Sequence, residues 1–171
     1  GLKNSFNTVF IGIGDEKDLE AYNFQYFGGL LFPFIETLQY KEINIDIGNV
    51  SKVRLSYDNI ISNFVSGMHL KSYSFKKYKK NKEPNDNAKK LTAINILVTN
   101  PGKFKKLFVS FNAVTEGVFF SRDLLHEPPN VLNPVNLASR AKELTKYNVK
   151  VNILDEKKMR QLGMGALLGV G

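Results

Sequence analysis

The chain has 171 residues, no cysteine and a formal net charge of +8. This length fits one ordinary domain, or one domain with part of another. The lack of cysteine excludes disulfides, zinc ribbons, thiol nucleophiles and iron–sulfur clusters from the chain, and favours a reducing intracellular compartment. No apolar run approaches the ~20 residues of a membrane-spanning helix. We therefore expect a soluble cytoplasmic protein without membrane contacts.

The first part of the chain predicts alternating strands and helices. Thr8–Ile13 (TVFIGI) is apolar and rich in β-branched residues, as in a buried strand. Gly29–Gln39 predicts a helix, with Pro33 acceptable only in the first turn. Glu42–Ile47 alternates polar residues with isoleucine, which is typical of a half-buried strand.

The same pattern continues to the middle of the chain. Asp58 is predicted to cap a helix with an apolar stripe at Ile60, Ile61, Phe64, Val65 and Met68. Ala93–Thr99 predicts a third strand, after which Asn100 and Pro101 form a helix cap and first helical residue. The helix that follows has apolar spacing at Phe104, Leu107, Phe108, Phe111, Val118 and Leu125, typical of core packing, until the Pro128-Pro129 stop. These elements predict the α/β class, with a layered mixed sheet and flanking helices.

A second unit follows this long linker helix. Asn133 and Pro134 predict the start of a short amphipathic helix, and Val149–Ile153 alternates like a strand. Asp155 is predicted to cap a further helix, which Gly163 can end in the left-handed conformation. Ala166–Gly171 begins another apolar run.

One helix, one strand, one helix and half a strand are too few to bury a core of their own. We therefore predict an N-terminal α/β domain at residues 1–126, which includes the long linker helix. Residues 127–171 are predicted to be the linker and truncated start of a second domain. The first residue is Gly1 instead of methionine, which suggests a processed or engineered start.

The stretch LLHEPPN, residues 124–130, lies one residue away from the zinc-protease signature H-E-x-x-H. That signature needs two histidines one helical turn apart that share a zinc ion. Here the last position is Asn130, and Pro128-Pro129 ends the helix. We interpret His126 as a polar residue at a helix C-terminus, where the helix dipole favours an imidazolium.

Two glycine pairs resemble phosphate-binding loops but do not complete the motif. Gly12 and Gly14 begin a G-x-G-x-x-G whose last position is Lys17, and the pair at Gly163 would need a third glycine at Leu168. A macro-type nucleotide-binding domain, with ADP-ribose as ligand, stays a hypothesis based on the glycines after the first strand and on fold analogy.

The segment Lys71–Lys90 carries eight lysines against Glu83 and Asp86, a local charge of +6. Aromatic residues are interleaved with the lysines, so the segment could contact phosphates and stack on bases. The alternative is a solvated lysine-rich loop, because lysine without arginine provides charge but no bidentate base recognition. The candidate nucleic-acid-binding residues are Lys76, Lys77, Lys79, Lys80 and Lys82.

Several motifs together resemble the cytosolic leucyl aminopeptidase family. They are Arg122-Asp123-Leu124, Glu127-Pro128-Pro129-Asn130, Pro134, Leu154-Asp155-Glu156 and Leu162–Leu168 (LGMGALL). Ser72–Lys79 (SYSFKKYK) is similar to the family's Y-x-F-x-x-Y-K segment. The chain departs from the family at His126, where asparagine is usual, and in its first 57 residues.

The resemblance implies the N-terminal domain, with a macro-domain-like fold, and the start of the catalytic domain. Family members are hexameric exopeptidases that remove N-terminal residues from peptides, using two divalent ions such as manganese or zinc. Their ligands lie in D-T-G-G and N-T-D-A-E-G-R motifs, and neither motif occurs in this chain. We therefore assign no catalytic or metal residue here. The chain alone is expected to bind no metal, to be inactive, and to contribute to structure and hexamer assembly.

Overall fold

The computed structural model describes residues 7–48, 50, 53–79 and 91–170, and this part is mainly helical with one small sheet. The helices are α1 Ala21–Thr37, α2 Tyr57–Ser72, α3 Pro101–His126, α4 Pro134–Lys142, α5 Glu156–Gln161 and α6 Gly165–Val170. The strands are β1 Glu42–Ile45 and β2 Ala93–Ile96, and short 3-10 helices occur at Glu16–Asp18 and Glu143–Tyr147.

The chain divides into two compact units, Gly1–Phe119 and Phe120–Gly171. The first unit contains all of the buried residues in the described part, whereas no described residue of the second unit is buried. The domain boundary at 126/127 stays a prediction. Among the described residues, no helix has the length and apolar character needed to cross a membrane.

The sheet consists of β1 and β2, which are parallel and pair from Glu42 with Ala93 to Ile45 with Ile96. The α/β class is confirmed, but the described sheet is purely parallel instead of mixed. The buried strand predicted at Thr8–Ile13 is wrong, because these residues form no strand and the side chain of Phe10 is 93% exposed. A β-branched run becomes a strand only where a neighbouring strand satisfies its backbone.

The first helix begins eight residues earlier than predicted, and Pro33 lies inside it. A capping box explains the start, because the backbone N–H of Glu20 donates to the Asn23 side chain over 2.8 Å. Pro33 removes one helical hydrogen bond, to the carbonyl of Gly29. Packing of α1 against α2 compensates for that loss, so the helix continues to Thr37.

The cap of α2 is Ser56 and not Asp58, since the Ser56 hydroxyl accepts the Asn59 N–H over 3.3 Å. Asp58 lies in the first turn, where the helix dipole favours a carboxylate. The apolar stripe predicted for α2 is confirmed. The core of the first unit contains Phe24, Ile35, Val53, Ile60, Phe64 and Met68.

Helix α3 begins as predicted, because the Asn100 side chain accepts the Lys103 N–H over 3.0 Å, and it ends as predicted at His126. The expected core packing of its apolar stripe is observed only in part, since Phe104, Leu107, Phe108, Phe111 and Val118 are half-buried. Thr115 is the buried residue of this helix, its hydroxyl lies 3.4 Å from that of Ser66 on α2, and Leu125 is 83% exposed. A small polar contact therefore joins α3 to α2.

The second unit keeps its predicted caps but lacks its predicted strand. Asn133 caps α4, Asp155 caps α5, and Gly163 has a φ of 71°, as expected after a helix end. Residues 149–153 form no strand in the described structure, and the run expected to start a strand is the helix α6. A strand needs a partner, which the described second unit does not provide.

Candidate functional site

The basic segment is only partly described, and its aromatic rings contact other protein side chains. Lys76, Lys77 and Lys79 are exposed beyond the end of α2, whereas Lys80 and Lys82 lie outside the described residues. The Tyr73 ring packs against Phe119 at 5.2 Å between centroids. The rings of Phe75 and Tyr78 lie 5.8 Å apart, and the Lys77 ammonium lies 5.5 Å from the centre of the Tyr78 ring.

The sequence of the basic segment combines positive charge with aromatic rings, and the structure exposes the charge whereas the rings contact other side chains. The three described lysines expose their charge, so they can contact phosphate groups. The rings expected to stack on bases already contact other side chains, and Tyr73 and Phe75 are half-buried. The nucleic-acid site stays a prediction, and its described geometry favours electrostatic contact without base stacking.

His126 lies at the C-terminal end of α3, as predicted, and its Nδ1 atom is 2.7 Å from the carbonyl oxygen of Arg122. The helix ends before Pro128-Pro129, so the geometry of the zinc-protease signature does not form here. The described residues contain no group of three or more histidine, aspartate or glutamate side chains that could hold a metal ion. The described part of the chain does not fit a two-metal centre.

The turn after α3 is held by short backbone and side-chain hydrogen bonds. The N–H groups of Val131 and Leu132 both donate to the Pro128 carbonyl over 2.9 Å. The Asn136 side chain donates to the Val131 carbonyl over 2.7 Å, which ties this turn to the first residues of α4. The motif that carries the family resemblance therefore forms a defined connection between α3 and α4.

An apolar pocket of about 210 Å³ lies in the first unit, where α1, α2 and β2 meet. The described residues that line it include one imidazole, His69, and one hydroxyl, Ser72, but no carboxylate. The Ser72 hydroxyl donates to the His69 backbone carbonyl over 2.7 Å, and the His69 ring lies edge-on to Phe119 at 5.1 Å. The remaining lining residues are Phe32, Val65, Met68, Ile94 and Ile96.

This pocket does not assemble a nucleophile with its general base, since the hydroxyl of its described lining donates to a backbone carbonyl. Its chemistry suits a small apolar group. The pocket was not predicted from the sequence because its lining comes from three elements that are distant in the chain. No local motif marks such a site.

The sequence analysis did not predict two electrostatic interactions near the start of α2. The Lys103 ammonium lies 2.6 Å from the Asp58 carboxylate, whose side chain is only 10% exposed. Burial raises the pKa of the Tyr57 phenol above its ordinary value of 10.0, and the negative charge of Asp46 raises it further. These groups do not converge on a common substrate position.

Two models of one protein family match the chain, one in its N-terminal part and one in its C-terminal part. The model described as "Cytosol aminopeptidase family, N-terminal domain" matches residues 5–82, and the catalytic-domain model of the same family matches residues 119–171. Together these matches cover more than three quarters of the sequence.

The chain belongs to the cytosol aminopeptidase family. The resemblance predicted from its motifs is thereby confirmed. The match to the catalytic-domain model includes the Pro128 turn, α4, α5 and α6, whereas the match to the N-terminal model includes α1, β1 and α2.

Curated relatives agree with this assignment. A probable cytosol aminopeptidase of Rhizobium leguminosarum bv. trifolii is 42% identical over 164 residues, which is 95% of this chain and 32% of that protein. A probable cytosol aminopeptidase of Nitrobacter winogradskyi is 35% identical over 171 residues, 100% of this chain and 33% of that protein. The chain spans about a third of the length of these relatives.

Solved structures share the fold. A tomato leucine aminopeptidase mutant superimposes with a TM-score of 0.67 and 23% identity, over 82% of this chain and 28% of that one. The bottromycin maturation enzyme BotP superimposes with a TM-score of 0.70 and 16% identity, over 90% of this chain and 31% of that one. At these identities the likeness describes the fold of the cytosol aminopeptidase chain and not its activity.

Proposed function

We propose that this chain forms the N-terminal domain and the first part of the catalytic domain of a cytosol aminopeptidase. The observation that carries the proposal is the order of the two family matches, N-terminal domain before catalytic domain, on one chain. Identity of 35–42% over 95–100% of the chain supports the same interpretation. The intact enzyme removes N-terminal residues from peptides in the cytoplasm.

In this proposal, the residues that bind the metal ions of the intact enzyme lie outside the described residues. Two divalent ions, manganese or zinc, would polarise the peptide carbonyl and activate a water molecule. A relative of the same fold, BotP, has been solved in complex with manganese. We expect the 171-residue chain alone to be inactive, because the D-T-G-G and N-T-D-A-E-G-R motifs that hold the metal ligands in the family do not occur in it.

The first unit has a structural role in this proposal. It takes a macro-domain-like fold in the intact enzyme and contributes to a hexameric assembly. The core formed by α1 and α2 supports such a role, because it is built from apolar packing and the described lining of its pocket lacks a carboxylate.

A chimeric enzyme tests this proposal. In the R. leguminosarum protein, the 164 residues that match this chain are replaced by their counterparts here, and leucine p-nitroanilide hydrolysis is measured with manganese or zinc. We expect the chimera to be active and the 171-residue chain alone to be inactive. A folded chimera without activity contradicts the assignment, and metal-dependent turnover by the purified chain contradicts its inertness.

A further inference from the structure

Helix α2 has a buried polar side in addition to the apolar side that forms the core. Four of its polar residues recur at every third or fourth position, so they lie on one side of the helix. These residues, which we name the α2 polar stripe, are Asp58, Ser62, Ser66 and His69. Ser62 and Ser66 are 0 and 3% exposed, so another element must exclude water from this stripe.

Helix α3 covers the α2 polar stripe through polar and ring contacts. The hydroxyl of Thr115, a residue that is 0% exposed, lies 3.4 Å from the hydroxyl of Ser66. The Lys103 ammonium lies 2.6 Å from the carboxylate at the start of the stripe. At the other end of the stripe, the His69 ring lies edge-on to Phe119 at 5.1 Å between centroids. The contacts therefore extend along most of α2.

The contacts between α2 and α3 differ in kind from those between α2 and α1. The core residues of α1 and α2 are all apolar, and they are Phe24, Ile35, Ile60, Phe64 and Met68. Helix α3 is described throughout, and none of its residues belongs to this core or to the partly buried side chains packed against it. Phe104 and Phe108 stack on each other at 5.3 Å within α3 itself. The apolar core is therefore complete without α3.

Water can replace the contacts that hold α3 but not those that hold α1. If α3 leaves α2, the hydroxyls of Ser66 and Thr115 regain hydrogen bonds to water, so the net loss is small. The Lys103 side chain is 67% exposed, so its ion pair is partly solvated before α3 leaves. Separation of α1 from α2 would instead expose large apolar side chains, for which water provides no compensation.

We propose that α3 undocks from α2 as a unit, in an equilibrium that leaves the α1–α2 core folded. An isolated helix is marginally stable in water, so the amides of undocked α3 lose their protection from hydrogen exchange. The boundary between the two compact units lies within α3, at Phe119, so the opening acts on the segment that connects them. A ligand or domain that contacts α3 in only one of the two states would shift this equilibrium.

Native-state hydrogen exchange of the full 171-residue chain, followed by NMR, tests the proposal. We expect the α3 amides to have protection factors at least about 100-fold lower than the most protected amides of α1 and α2. Equal protection in the three helices would overturn the proposal, because it would mean that α3 opens only when the whole first unit unfolds.

A charge at the centre of the contact separates undocking from unfolding. Thr115→Glu places a carboxylate at a position that is 0% exposed and keeps a good helix former in α3. We expect this variant to lose the protection of α3 while α1 and α2 keep theirs within about threefold. The matched control is Val114→Glu at the adjacent position, which is 67% exposed, and it should leave all three helices unchanged. Loss of protection throughout the first unit in Thr115→Glu would contradict independent undocking.

A mild core substitution gives the reciprocal test. Ile60→Val removes one methylene group from a residue that is 1% exposed and faces away from the α2 polar stripe. We expect it to lower the protection factors of α1 and α2 about two- to tenfold and to leave those of α3 unchanged, since α3 exchanges through its own opening. A parallel decrease in all three helices would show a single cooperative opening and would overturn the proposal.

Discussion

Gly28 on α1 lies directly against the backbone of Phe64 on α2, so closely that a Cβ atom at Gly28 would be 1.9 Å from the Phe64 carbonyl oxygen. Gly67 on α2 makes the reciprocal approach, with a Cβ position 1.8 Å from the Gln25 carbonyl oxygen. No side chain fits at either position without moving a backbone. The two helices therefore reach this separation because glycine occupies both contact points.

We expect Gly28→Ala to lower the free energy of unfolding by about 3 kcal/mol, because the added methyl group forces α1 and α2 apart. The matched control is Gly29→Ala in the same helix, where the nearest atom to a new Cβ is the Gly67 carbonyl oxygen at 3.7 Å. There the higher helix propensity of alanine should stabilise the protein by up to about 1 kcal/mol. Urea denaturation followed by circular dichroism measures both, and similar effects at the two positions would contradict the close approach.

The ion pair between Asp58 and Lys103 gives a second prediction. Lys103→Met leaves the mostly buried carboxylate without its ammonium partner, so we expect a loss of about 1 kcal/mol in unfolding free energy. Lys105→Met, at an exposed position of the same helix, should change stability by less than about 0.5 kcal/mol. A double-mutant cycle with Asp58→Asn isolates the pair, and a coupling energy near zero would show that the contact contributes nothing.

The raised pKa of Tyr57 predicts a pH dependence. Since the folded state holds the phenolic proton more tightly than the unfolded state, the resulting stability is present below pH 10.0 and is lost as pH rises through the folded pKa. Tyr57→Phe should therefore lose less stability than the wild type between about pH 9 and about pH 11. Tyr22→Phe is the control because Tyr22 is 66% exposed. Identical pH profiles for wild type and Tyr57→Phe would contradict the prediction.

The positive charge of Lys71–Lys90 predicts that the affinity of the chain for DNA depends on salt concentration. If Lys71–Lys90 binds duplex DNA through about five phosphate contacts, log K should fall with log salt at a slope of about −4 to −5. Lys76→Gln/Lys77→Gln/Lys79→Gln should reduce the magnitude of that slope by about 3, whereas Lys105→Gln/Lys106→Gln on α3 should leave it unchanged. Fluorescence anisotropy at several salt concentrations measures the slopes. No binding at low salt would remove the nucleic-acid hypothesis.

Local sequence chemistry determined the helix ends in this protein. The side chains of Asn100, Asn133 and Asp155 accept N–H groups within their own first turns, and such bonds involve residues three positions apart. Pro128 and Gly163 mark helix ends for equally local reasons, a missing N–H and a left-handed φ. The family motifs are also contiguous, so the family was recognisable without a structure.

Contacts between distant residues were decided only by the tertiary structure. Residues 8–13 and 149–153 have the composition of strands, but a strand forms only where another strand satisfies its N–H and C=O groups, and the described fold does not provide one. Pro33 is accepted within α1 because that helix packs against α2. The apolar pocket and the Asp58–Lys103 pair arise in the same way, since folding joins residues whose separation in the chain leaves no local pattern.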